Sequence, residues 1–193
     1  VNARELFEQL APLVAPALEQ AFDRRDLCIL AARVAIETAA YFGIEATPVA
    51  VKVMAYNDSF ARHLADKDVD FQQPCSTWGD DSWAVGIGCG KPPDCNRWDG
   101  HLIAVADGCF GDFSIQQAER LERNIHTGPA LVGPYTGQMK WKAIEGNSGT
   151  VVEYSRIADD FWRSAPDWRD AKRRRPIVAA LIRTVRAMEL TAR

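Results

Sequence analysis

The sequence predicts an α+β fold in which a mostly antiparallel sheet packs on a central helix headed by Cys28. Three observations lead there. Apolar residues recur at helical spacing over 3–21 and 27–42. Strand-like runs follow with little strict βαβ alternation. The second helix is apolar on nearly every side, which is the pattern of a buried helix. A length of 193 residues, 47% hydrophobic and 25% charged, fits one soluble globular domain that buries a core without staples. The same figures exclude disorder, collagen-like repeats and a disulfide-dense miniature. The expected domain spans 1–193, with its core over 24–157 and a C-terminal helix over 166–190.

The elements follow in order. Leu6, Leu10, Leu13, Val14, Ala17 and Ala21 line one face of the first helix, and Pro12 and Pro16 predict a kink or two shorter pieces. For the second helix, Asp26 reads as the N-cap and Gly43 as the stop. Its two charges, Arg33 and Glu37, share one stripe. Thr47–Tyr56 is a Val-rich strand, Ser59–Asp66 a short helix, Asp68–Asp81 a polar loop and Trp83–Ile87 a short strand. Gly88–Asn96 is turn chemistry throughout. His101–Ala106 and Phe110–Ser114 read as paired strands, Ile115–Glu122 as a short helix and Gly128–Gly137 as an exposed loop. Met139–Ile144 and Thr150–Tyr154 form a hairpin around Glu145–Gly149. The tail is helical from Asp167 to Met188, interrupted at Pro176.

Charge and cysteine content narrow the function. Lys plus Arg number 23 and Asp plus Glu 26, a net charge of -3, which argues against a nucleic-acid binder acting through its global charge. No run of 18 apolar residues lacks charge, so no membrane span is expected. No basic stretch followed by an apolar one opens the chain, so no signal peptide is read, although a processed segment upstream stays open. Five cysteines without an export signal favour reduced thiols and a cytoplasmic setting; a single bridge within Cys75–Cys109 stays open.

Chemistry concentrates on three residues. Cys28 falls in the first turn of the buried helix, where free N–H groups and the positive end of the helix dipole favour a thiolate. Its own N–H can serve an oxyanion. Taken alone, a cysteine there reads more readily as a small core residue. His101 opens an apolar strand, unlike His63 and His126, which read as surface residues. Asp107-Gly108 signals a type I′ turn, and a two-residue turn puts Ile103 opposite Asp112. His101 and Asp112 then share a face as diagonal neighbours; a three-residue turn would separate them. Thiol, imidazole and carboxylate together make one nucleophilic unit.

The motifs resemble those of transglutaminase-like cysteine enzymes, a superfamily with the papain-like fold. Asp26-Leu27-Cys28 opens a helix that closes through Tyr41-Phe42-Gly43-Ile44-Glu45-Ala46 into Pro48-Val49, as in the family's "GI-x-A" turn. Gly100-His101-Leu102-Ile103-Ala104-Val105 matches its His strand, and Gly111-Asp112-Phe113-Ser114 its Asp strand. The resemblance covers roughly 24–117. It implies Cys28 as nucleophile, His101 as general base and acid, and Asp112 as the residue orienting the imidazole. The chain departs from the pattern where Leu102 follows His101 in place of Ala-Trp, and where no clear Gly precedes Cys28. No residue matches a second oxyanion donor; Gln20, Trp98 and Gln116 are the candidates.

Other constellations carry less. Cys75, Cys89, Cys95 and Cys109, spaced by 14, 6 and 14, lack the C-x2-C knuckles of structural zinc sites. Lys172-Arg173-Arg174-Arg175 reads first as a solvated helix face, second as a contact for phosphate or an acidic partner. Gly86-x-Gly88-x-Gly90 lacks the helix that dinucleotide binding requires. The six tryptophans read as core or groove wall. The sequence thus points to a thiol hydrolase or acyltransferase that acts on an amide of a peptide or protein, with no cofactor and no metal. The alternative is a non-catalytic protein-binding module that keeps the fold.

Overall fold

The computed structural model describes residues 1–22, 27–65, 81–88, 98, 100–136, 141–145 and 149–191. It is an α+β structure. Helices α1 (Ala3–Phe22) and α2 (Cys28–Tyr41) precede strand β1 (Thr47–Tyr56), helix α3 (Asp58–Ala65) and strand β2 (Ala84–Ile87). Strands β3 (His101–Ala106), β4 (Cys109–Asp112), β5 (Leu131–Pro134), β6 (Trp141–Glu145) and β7 (Thr150–Arg156) follow. Helices α4 (Pro166–Arg169) and α5 (Ala171–Thr191) close the chain. The strand order is β5-β4-β3-β1-β7-β6, with β2 also on β1, and every pairing is antiparallel. One edge of β1 is shared, Thr47–Val51 going to β3 and Val53–Tyr56 to β2. No helix among the described residues is long and apolar enough to cross a membrane.

Two cores form, one on each side of the sheet. On one side Leu6, Phe7, Leu10 and Val14 of α1, Leu30, Ala31 and Val34 of α2 and Ile177, Leu181 and Val185 of α5 pack over Ala104, Ala106 and Phe113. Each fully buried Leu or Phe stabilises the fold by about 1.5–3 kcal/mol. On the other side Val51, Val53, Ile103, Phe110, Val152 and Tyr154 are capped by Ile115, Ala118 and Ile125. The sheet curls toward this second core. Tyr154 on β7 and Asp112 on β4 are three strands apart, yet their side chains hydrogen-bond at 2.8 Å. In a flat sheet that separation is about 14 Å, beyond the joint reach of the two side chains.

The structure corrects several expectations. Helix α1 runs unbroken through Pro12 and Pro16. Both prolines face solvent, one turn apart, so the carbonyls they leave unpaired meet water while the inner face keeps its packing. Helix α5 likewise runs through the exposed Pro176; the break in the tail is at Asp170, between α4 and α5. The expected loop Gly128–Gly137 contains β5, which pairs with β4 in the register Asp112↔Leu131 to Cys109↔Pro134. Burial of Leu131 outweighs the local Gly and Pro content, and Pro134, with no N–H, sits at the end of its strand. Ile115–Glu122 is not one helix but two 3₁₀ turns, Ile115–Ala118 and Leu121–Arg123, followed by Asn124 in the left-handed region. The cap position of α2 is Leu27, without a side-chain bond, and Asp26 lies outside the described residues, as do Cys75, Cys89 and Cys95.

The stop of α2 is where the sequence puts it. Gly43 adopts φ +75°, and the N–H groups of Gly43 and Ile44 bond to the carbonyls of Ala40 and Ala39. That is the Schellman closure, which favours glycine at the left-handed position. Arg33 and Glu37 share one stripe of α2, as the sequence predicts, and pair along it. Glu37 accepts from Arg33 Nε at 2.7 Å and from Arg174 Nε at 2.9 Å, and Arg174, 5% exposed, also donates to the Trp168 carbonyl. One member of the basic run is therefore a buried tie between α2 and α5.

Candidate active site

Three pieces of local structure place the site. First, α2 begins at Cys28, and its first backward bond is from Ala31 N–H to the Leu27 carbonyl. The N–H groups of Cys28, Ile29 and Leu30 thus have no intrahelical acceptor, and the Leu27 side chain offers them none. Second, β3 begins at His101, directly after Gly100. A Cβ at position 100 would sit 2.6 Å from the Trp98 ring, so only glycine lets the indole close over the strand entry. Third, Asp107 and Gly108 have φ +48° and +69°, and Ala106 pairs with Cys109. This is the two-residue I′ turn, and it puts His101 and Asp112 on one face.

His101 and Asp112 are both 0% exposed. The imidazole Nε2 lies 2.9 Å and 2.8 Å from the two carboxylate oxygens. Asp112 Oδ1 also accepts from the Ser114 N–H at 3.0 Å and the Ser114 hydroxyl at 3.4 Å; Oδ2 accepts from the Tyr154 hydroxyl at 2.8 Å. With Nε2 committed, the ring turns Nδ1 the other way. Nδ1 is buried and makes no hydrogen bond among the described residues, although Cys28 stands close enough to shift the imidazole. Cys28 Sγ points to the Gly100 carbonyl, at 3.9 Å. Loose thiol–imidazole geometry is common before substrate arrives.

Burial alone would push the His101 imidazolium toward its neutral form. The charge and hydrogen bond of Asp112, with a smaller contribution from Cys28, outweigh it and raise the pKa from 6.5 to about 10. Asp112 thus biases the imidazole toward its protonated form. The second described cysteine, Cys109, differs. It is buried in β4 with its thiol toward the Phe110 carbonyl, and burial pushes its pKa up.

The remaining candidates separate cleanly. Gln116 is engaged at the surface with Glu19, and Gln20 is exposed on the last turn of α1. Trp98 packs against Ile29, Ala32 and Leu102, and its buried Nε1–H finds no acceptor among the described residues. His63 lies on α3, and the His126 N–H bonds Thr150 Oγ1. Among the described residues no group of three His, Cys, Asp or Glu side chains could hold a metal ion, and the expectations for Cys75, Cys89 and Cys95 fall outside those residues. An open cavity of about 280 Å³ lies beside Ala50, Ile157 and Trp162; none of Cys28, His101 and Asp112 lines it. Sequence reasoning missed Tyr154. The inward alternation of Val152 and Tyr154 is visible in the sequence, but nothing local says that β7 lies across β1 from β3. Comparison with family models, with curated proteins and with solved structures finds no match.

Proposed function

We propose that this chain is a thiol-dependent hydrolase or acyltransferase acting on an amide bond of a peptide or protein, with a papain-like, transglutaminase-like arrangement of Cys28, His101 and Asp112. One observation carries the reading: among the described residues a fully buried imidazole–carboxylate pair is satisfied everywhere except at Nδ1, and the imidazole stands within electrostatic reach of a cysteine that begins a helix. A core histidine kept for stability would have both ring nitrogens bonded.

The chemistry follows from that placement. Cys28 attacks the carbonyl carbon as a thiolate, its proton carried on His101 Nδ1, and the carbonyl oxygen takes up negative charge. The free N–H groups at the head of α2 and the Trp98 Nε1–H are the donors available to it. The tetrahedral adduct collapses to a thioester as the C–N bond breaks, and His101 Nδ1–H gives its proton to the leaving amine. Water or a second amine then attacks the thioester while Nδ1 takes up its proton. The product is an acid or a new amide, and Cys28 is regenerated.

The experiment is competitive alkylation with iodoacetamide at pH 6, read by peptide mapping, beside an acyl-transfer assay on a glutamine or peptide ester substrate. Cys28 should react far faster than the other four cysteines, and folded Cys28→Ala should have no turnover. A Cys28 no faster than Cys109, as a binding module would show, or full activity in Cys28→Ala, ends the proposal.

A further inference from the structure

We infer that Tyr154 is a positioning residue of this site: its hydroxyl locks the Asp112 carboxylate in the orientation that holds the His101 ring with Nδ1 toward Cys28. The inference rests on the thiol-enzyme reading and adds a fourth residue to it.

Tyr154 is 1% exposed, opposite Val53 in the middle of β7. Its ring packs against Phe110 with centroids 5.4 Å apart. Phenylalanine would fill this space equally well, so packing does not require the hydroxyl. A buried phenol oxygen is costly unless it is paired, and this one donates to the carboxylate oxygen that also meets His101 Nε2. The other oxygen is held by the Ser114 N–H and hydroxyl. The carboxylate is gripped at both ends and cannot rotate without losing a bond. Its plane sets the imidazole plane, since Nε2 sits nearly equidistant from the two oxygens, at 2.9 and 2.8 Å.

The hydroxyl also bears on proton movement. When His101 gives up its proton, Asp112 is left as a buried anion with no cation beside it among the described residues. Tyr154 and Ser114 then supply the donors that stabilise it. Removing the hydroxyl penalises the deprotonated pair more than the protonated one, so His101 should hold its proton harder. Among the described residues, the groups about the imidazole are Cys28 from α2, Asp112 from β4 and, behind Asp112, Tyr154 from β7, while β1 lays Val51 opposite His101. Arg156, in the same cross-strand row as His101 through Val51, is exposed.

The test is an NMR titration of His101 in the wild-type chain and in Tyr154→Phe, each also in a Cys28→Ser background, where loss of the sulfur's contribution lowers the midpoint into an easier range. Tyr154→Phe should raise the midpoint by about one pH unit and lower kcat in the acyl-transfer assay about tenfold with KM unchanged. Ser114→Ala, which removes the longer contact, should shift it the same way by less, and it carries the test if Tyr154→Phe does not fold. An unchanged or lowered midpoint in folded protein overturns the inference. Ordinary alkylation of wild-type Cys28 would instead overturn the thiol-enzyme reading and leave the titration result standing.

Discussion

Among the described residues two ion pairs stand by helix α2, one partly exposed and one fully buried, and they end differently. At the middle of the helix, Arg174 meets Glu37 and the Trp168 carbonyl, Glu37 also meets Arg33, and the Arg33 guanidinium lies 4.5 Å from the centroid of the Trp168 ring. Every strong partner finds its complement, and the network closes on itself. At the head of the helix, Asp112 is surrounded by donors, yet the chain of bonds from Tyr154 through Asp112 to His101 stops at Nδ1. A network that closes on itself ties elements together; under the proposed function, one that ends on an unpaired nitrogen serves proton transfer.

The largest effect expected from breaking the open network is on catalysis. Cys28→Ala should lower acyl transfer by at least about 10³-fold while costing on the order of 1 kcal/mol of stability. His101→Ala and Cys28→Ala should be non-additive, the double variant being no worse than either single one, and this is measured by kcat/KM beside thermal melts. A stability loss that tracked the activity loss would make the open network a tie like the other.

Next comes the pH dependence. Because the His101 pKa is raised in the folded chain, the pair's contribution to stability is fully present below 6.5, the ordinary histidine value, and is lost as pH rises from there through about 10. Chemical denaturation across that range should show the fall, and Asp112→Asn should flatten it. A wild-type chain equally stable at pH 6 and pH 10 would contradict the ion pair.

The closed network should answer in the opposite way. Arg174→Ala should cost about 2–3 kcal/mol by leaving Glu37 and the Trp168 carbonyl short of a partner, and leave the alkylation rate of Cys28 unchanged. Altered Cys28 reactivity in that variant would mean that the two networks communicate along α2. The smallest effect is at the far end of the helix. In Gly43→Ala nothing lies within 4 Å of the new Cβ, so the cost is that of φ +75° alone, about 1 kcal/mol, read from the denaturation midpoint.

Much of the site is short-range and was therefore legible. The Asp107-Gly108 dipeptide specifies its turn by allowing two positive φ values, and that turn alone puts His101 and Asp112 on one face. Apolar periodicity and Gly43 bound α2 and so put Cys28 at its head. The prolines of α1 and α5 misled for the same local reason. A proline's cost depends on whether the carbonyl it abandons meets water, and that is decided by what the opposite face packs on. Strand β5 was hidden because burial of Leu131 beside Asp112 depends on a partner strand some twenty residues earlier.

The sequence by itself determined the α+β class, the chain order of cysteine, histidine and aspartate, and the register that pairs the last two, because turns, caps and alternation act over a few residues. The tertiary structure alone decided that β7 lies beside β1 to bring Tyr154 onto Asp112 and that Arg174 closes over Glu37. These depend on the curl of the sheet and the docking of α5, set by the filling of two cores from residues more than a hundred positions apart, which no local pattern encodes.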